Sequence, residues 1–395
     1  ISGSKSPNPN WQISENPIDL AADSFFINNA SSQKWRKAKQ KAESYESPKS
    51  SLSQISDIQI VVDSEGIYKI GYSYLKQFIG EMTDSLGMDM AWDIDDIDPR
   101  NLELYDEYGQ VPIHFPGEED GHFNSSDYFE FYGDRHYGDQ RHFDDFTAEN
   151  VYTLKLLDRF GARMVVENGG LIQNNPMYFT RADAYEETVH FEEQLMSDKL
   201  GRGWSFSDPE FYLEDNWYWK RISAPNLEIT PLELEYPVDR ATLYIDAEIS
   251  LRGLTYKEDM LPGQVDHEAT IRLNSAMINT HTWIGQTEKV FHPQADIANS
   301  FLRHGTNQLY ISLSGNTEIG NRELVLLDYI KLKYWREYKT DRDYIKFEKP
   351  SNRPGGLFQF DVQGFSSPNV SVYKIGSSVF SNMQIEPFNI DGAAP

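Results

Sequence analysis

From Asp57 onward the chain alternates apolar and polar residues with a period of two. In "DIQIVVDSEGIYKIGYSYLKQFI", Ile58, Ile60 and Val62 share one face, Asp63 to Gly66 supply turn residues, and Ile67, Tyr68 and Ile70 resume the pattern. This predicts a β-hairpin feeding a short helix at Ser73 to Gly80. A second strand-turn-strand follows in "DIDPRNLELYDEYGQVPIHF". There Leu102, Leu104 and Tyr105 precede the turn "DEYGQ", and Val111, Ile113 and Phe115 alternate after it. In "DYFEFYG", Phe129 and Phe131 take one face and Tyr128, Glu130 and Tyr132 the other, as a strand buried on one side requires. "NVYTLKL" splits likewise, with Tyr152, Leu154 and Leu156 opposite Val151, Thr153 and Lys155. Residues 181 to 200 hold helix formers, yet "ETVHFEEQL" also fits a strand, and both readings stay open.

Downstream, "ATLYIDAEISLRGL" alternates throughout, and "HEATIRLNSAMINTHTWIGQ" reads as two strands around a turn at Asn274 to Ala276. "FLRHGTNQLYISLSGN" and "LVLLDYIKLKYWREY" follow at similar spacing, without helical stretches between them. Regular strands with Gly and Asn turns predict an antiparallel sandwich or jelly roll of roughly 110 to 120 residues. The expected fold is mainly β. A leader or linker covers 1–56, with a short helix around Trp35 to Ser44. An antiparallel β-rich N-terminal domain with a short helix covers 57–222, and the sandwich covers 223–340. A short β-element and linker fill 341–395, where "FQFDVQGFSSPNVSVYKIG" alternates again.

Composition narrows the function. The 395 residues carry 36 basic and 62 acidic side chains, a net charge of -26, which opposes binding to nucleic acid or to an anionic membrane. There is no cysteine, which excludes disulfides, thiolate metal sites and a cysteine nucleophile within this chain. Aromatic residues make up 13%, and with abundant Asn, Ser, Asp and Gly this points to a secreted or bacterial cell-surface β-protein. No run of about 18 apolar residues suggests a transmembrane segment.

The densest chemistry lies in "FNSSDYFEFYGDRHYGDQRHF". His122 stands just before this run and His136 and His142 within it, near Asp127, Asp134, Asp139, Asp144 and Asp145. Imidazole and carboxylate together suit a divalent transition metal, but the spacing matches no ligand pattern, so a solvated loop beside a sheet is expected and the metal ligands stay unknown. The acidic loops Asp93 to Pro99 and Gly117 to Gly121 have the composition of calcium loops without the alternating ligand order, which leaves calcium as a possible cofactor. Glu192 and Glu193, or Asp144 and Asp145, are adjacent carboxylates, whereas a glycosidase pair faces its substrate from separate strands. No nucleophile-elbow or phosphate-loop motif occurs. Trp204, Trp217, Trp219 and Trp283 could form a sugar-stacking platform or half-buried core.

Several of these stretches occur together in one family. "DIQIVVDSEGIYKIGYSYLKQFIG", "DPRNLELYDEYGQ", "DYFEFYGD" and "ENVYTLKL" resemble, in that order, the N-terminal region of gingipain-type cysteine peptidases, particularly the sortase of the type IX secretion system and related large surface proteins. "HEATIRLNSAMINTHTWIG", "LRHGTNQLYISL" and "VLLDYIKLKYWREY" resemble the family's β-sandwich, and the likeness runs from about residue 57 to 376. The family's peptidase domain works through a histidine-cysteine dyad, and none of its catalytic residues has a counterpart here. The resemblance implies a non-catalytic accessory or pro-region that docks on or chaperones a peptidase domain expected after "DGAAP". A carbohydrate-binding or adhesive cell-surface module is the alternative.

Overall fold

The computed structural model of the protein describes residues 56–86, 91–138, 142–144, 147–170, 179–197, 216–353 and 356–386. The expected helix at Trp35 to Ser44 and nearly all of the 1–56 leader lie outside them. Two compact units are present. In the first, which includes Ser56 and Leu75–Asp93, Trp92 Nε1 donates to the Ser56 carbonyl at 3.0 Å. Helix α1 (Tyr72–Leu86) continues beyond the Ser73 to Gly80 stretch expected from sequence.

The second unit holds the β-structure. Its N-terminal part contains β1 (Asp57–Val62), β2 (Gly66–Gly71), β3 (Leu102–Tyr105), β4 (Gln110–Val111), β5 (Tyr128–Gly133), β6 (Asn150–Leu156) and β7 (Val165–Asn168). One antiparallel sheet runs β1-β6-β3-β4, while β2 pairs with β5. The hairpin expected at 57–71 is therefore not formed. Alternation fixes which face of a strand is buried but not which strand it pairs with, and Asp63 to Gly66 turns a corner between two sheets. Both sheets bury aromatic faces on one core. Phe129 and Phe131 are fully buried as expected, and the rings of Tyr68, Phe131 and Tyr152 follow one another at 5.7 and 5.0 Å. The hairpin across "DEYGQ" does form, as β3 and β4.

The strands that follow are β8 (Phe179–Ala182), β9 (Tyr185–Glu192), β10 (Met196–Ser197), β11 (Trp217–Tyr218), β12 (Lys220–Ser223), β13 (Leu227–Leu234), β14 (Tyr244–Gly253), β15 (His267–Leu273), β16 (Ala276–Trp283), β17 (Glu288–Phe291), β18 (Ile297–Ala298), β19 (Gly305–Leu313) and β20 (Leu324–Arg336); β10 and β11 pair with each other, and the two sheets of the sandwich come from β9 and β12 to β20. One sheet runs β12-β20-β14-β17, with β9 also on β20; the facing sheet runs β13-β19-β15-β16. Alternate residues from both sheets, among them Ile249, Ile271, Ile278, Phe291, Ile311 and Ile330, form one continuous core. The ambiguous "ETVHFEEQL" is strand β9. Val189 and Phe191 pack against this core, which leaves His190 and Glu192 on the outer face.

After β20 the chain turns back. β21 (Leu357–Phe360) pairs in parallel with β8, β22 (Tyr373–Lys374) pairs with β23 (Ser378–Ser381), and β23 pairs in parallel with β7. Lys346 bridges Glu65 at 2.8 Å and donates to Tyr132 Oη at 3.0 Å, and Tyr373 Oη donates to Glu130 at 2.5 Å. The short β-element expected near the end of the sequence is thus stitched onto the N-terminal sheets.

Candidate binding cleft

The histidine and aspartate-rich stretch forms part of an open cleft of about 660 Å³. One wall is the β3-β4 turn with Asp106, Tyr108 and Gln110; another is Tyr132, Asp134, Arg135, His136 and Tyr137; Asn150 and Tyr152 of β6, Met164 and Gly376 complete it. Asp134 is its hub. Its carboxylate accepts from Tyr132 Oη at 3.4 Å, Tyr137 Oη at 3.3 Å and the Arg135 N–H at 2.8 Å, while its own N–H donates to Tyr152 Oη at 3.1 Å. Burial raises the pKa of Tyr132, Tyr137 and Tyr152 above the ordinary phenol value, with the Asp134 charge adding to it at Tyr132 and Tyr137, so all three phenols stay protonated. The cleft therefore offers aromatic walls and fixed polar groups, and Tyr108 stands 88% exposed at its lip.

The three histidines do not converge. The His122 N–H donates to Asp120 at 2.9 Å. His136 lines the cleft, with Nε2 3.9 Å from Asp144. His142 instead stacks on His190 of β9, with centroids 4.0 Å apart and planes 14° apart. Tyr137 and Phe143 flank His142 at 5.5 and 4.9 Å. His190 in turn stacks on Tyr329 at 5.3 Å and meets Glu192 at 2.7 Å. Burial first, then the charges of His190 and Arg135, pushes His142 down to about 4.

The two acidic loops lie side by side and hold arginines. Asp98 caps the 3₁₀ turn Pro99–Asn101 and clasps Arg100, whose hydrogen bond holds the Asp98 carboxyl below its ordinary value, and Arg163 bonds Glu118 at 2.7 Å. Among the described residues no group of three His, Asp or Glu side chains is placed to hold a metal ion. Asp127 is buried and bonds the Asn124 N–H at 2.8 Å. Asp139, Asp145 and Trp204 lie outside the described residues.

Among the described residues the tryptophans Trp217, Trp219 and Trp283 do not line up as a platform. Trp219 and Trp283 are buried in the sandwich core, where Trp283 stacks on His267 at 4.8 Å, and Trp217 is 39% exposed. Sequence reading missed the cleft itself, because its walls come from five separated segments, with Gly376 brought in by the returning chain. The signal that was available is the polar face of β5, the row Tyr128, Glu130 and Tyr132, whose last member lines the cleft.

No protein-family model matches the chain, and no curated protein matches it. Among solved structures it is similar to dimeric latent PorU from Porphyromonas gingivalis, at 14% identity and a TM-score of 0.49, over 77% of this chain and 26% of that one. The chain thus spans about a quarter of PorU's length. It is also similar to the CBM36-1 domain of a multidomain xylanase from the hindgut metagenome of Trinervitermes trinervoides (7% identity, TM-score 0.22, 37% of this chain and 96% of that one). A further likeness is to a CBM36 carbohydrate-binding module in complex with calcium and xylotriose (10% identity, TM-score 0.17, 29% and 98%). These are distant structural likenesses.

Proposed function

We propose that this chain is a non-catalytic accessory region of a secreted or cell-surface gingipain-like cysteine peptidase, and that it docks a partner segment in the Asp134 cleft. The order of motifs between residues 57 and 376 and the absence of cysteine support the accessory role. The observation that carries the docking role is how Asp134 is used. Its carboxylate is taken up in orienting two tyrosine hydroxyls and a backbone N–H, so the group organises walls for a ligand instead of being poised for proton transfer. The volume falls within the range of ligand clefts, and tyrosines give contact area at low entropic cost. A carbohydrate ligand is the second reading, favoured by the exposed ring of Tyr108 beside Asp106, Gln110 and Asn150.

The test starts with the intact mass of the native polypeptide. A mass well above that of this chain sends the downstream domain into a binding titration against the wild type and against Asp134→Ala, where a loss of about tenfold or more is expected for the variant. A native mass equal to that of this chain, or equal binding by both proteins, defeats the accessory-docking reading. Oligosaccharide binding that Tyr108→Ala abolishes would put the second reading in its place.

A further inference from the structure

We infer that the stacked rings of His142 and His190 form a proton-released latch, which fastens the cleft-wall segment carrying Tyr137 and His142 to the outer strand of the sandwich. The two imidazoles are nearly parallel, 14° apart, at 4.0 Å and come from two separate parts of the chain: the segment after β5, and β9. His190 is braced from both sides, by Tyr329 of β20 at 5.3 Å and by Glu192 of its own strand at 2.7 Å. His142 is braced on the segment side by Tyr137, which is also a wall of the cleft, and by Phe143, over which the Arg135 guanidinium lies at 4.8 Å. Fastening this stack therefore fixes the position of Tyr137.

Parallel stacking suits neutral rings and fails when both are charged, because two like charges at this separation repel in a partly dry setting. The charged and titratable groups around the stack favour release at His142 in particular. From the segment, Arg135 adds a positive charge beside it, Asp134 is bound to Tyr137, and Asp144 faces His136. From β9, Glu192 stands 2.7 Å from His190 and acts on His142 in the opposite sense to Arg135. From β20, Tyr329 and the cross-strand neighbour Lys331 complete the surroundings, with Lys331 drawn to Glu248 of β14 at 3.8 Å and Glu288 of β17 acting on Tyr329. A proton on His142 therefore meets the positive charges of His190 and Arg135, opposed only in part by the Glu192 carboxylate. The folded value of His142, about 4, lies below its ordinary 6.5, so the latch is complete above pH 6.5 and is lost as the pH falls toward the folded value.

Hydrogen exchange of the whole chain, followed by mass spectrometry and corrected for intrinsic pH dependence, reads the latch directly. Between about pH 7 and about pH 4, exchange at Asp134 to Gly138 and at His142 to Asp144 is expected to rise about tenfold or more, while β5 and β20 keep their protection. His142→Phe keeps the ring contact without the charge and is expected to leave the segment protected at the lower pH. His190→Phe removes the facing charge and is expected to reduce the release, which provides a readout if the first variant folds poorly. A wild type that stays closed, or variants that open at the same pH as the wild type, overturns the latch. Its coupling to a ligand rests on the docking reading: segment opening without any change in partner binding defeats that reading and leaves the latch standing.

Discussion

Arg336 Nη1 meets Glu187 at 2.7 Å where β20 lies against β9, and the arginine side chain is only 6% exposed. The same guanidinium bonds Glu235 and the Lys339 carbonyl, and Tyr334 Oη reaches both Glu187 at 3.3 Å and the Glu235 carbonyl at 2.9 Å. Arg336→Met removes the buried cation shared by two half-buried carboxylates, with the exposed Arg342 still 3.1 Å from Glu235, and it should lower stability by about 3 kcal/mol in urea denaturation. Arg336→Lys should recover less than half of that, because one ammonium does not reproduce a planar fork shared by two acceptors.

Glu103 has a side chain with 0% exposure and is gripped by Arg159 Nε at 2.6 Å and Nη2 at 3.1 Å, with Tyr105 donating as well. The Arg159 hydrogen bond, opposed by burial, holds the carboxyl below its ordinary value of 4.5. A depressed folded value means that the stabilisation is complete above about pH 4.5 and lost as the pH falls through the folded value. Glu103→Gln should therefore unfold at lower urea than the wild type at pH 7, and the gap should narrow under acid. An equal gap at both pH values would remove Glu103 from the acid limb of the stability curve.

Trp283 sits between His267 at 4.8 Å and Phe291 at 6.0 Å in the sandwich core. Trp283→Ala should cost about 3 to 5 kcal/mol, the loss typical of an emptied aromatic site. Trp217→Ala, at a half-exposed ring, should cost less than about 1 kcal/mol. Thermal unfolding of the two variants side by side separates core from surface.

Gly364 has a φ of +95°, and a Cβ built there would come within 1.8 Å of the Thr340 carbonyl oxygen. That crossing is held by the Thr340 N–H to Gln363 carbonyl bond at 3.0 Å and the Gln363 N–H to Tyr338 carbonyl bond at 2.9 Å. Gly364→Ala should destabilise by about 2 kcal/mol or more. Proteolysis should show the loss first in the returning segment, with the sandwich strands cut last.

Strand identity and facing were legible where burial is one-sided. Phe129 and Phe131 inward, Tyr152 and Leu154 inward, and the Asn274 turn between β15 and β16 all follow from alternation and turn chemistry. Partner choice was not. β1 and β2 are adjacent in sequence yet belong to different sheets, and both parallel pairings join strands more than a hundred residues apart, a distance over which local pattern carries no information. The same limit applied to chemistry. The stretch that crowds His, Asp and Tyr together was visible, but the sorting of His136 into the cleft, His142 onto His190, and Asp134 into the hub depends on residues far away.

The parallel pairing of β23 with β7 gives the molecule a mechanical property. β7 is anchored at its start, where Met164 is buried, and the chain leaves β23 at the opposite end. Tension applied along the chain beyond residue 386 therefore pulls the two strands in opposite directions along their length, and the ladder bonds share the load at once instead of opening one by one. The joint resists in shear, so force reaching the N-terminal sheets from that direction would be borne by the whole strand before any one bond yields.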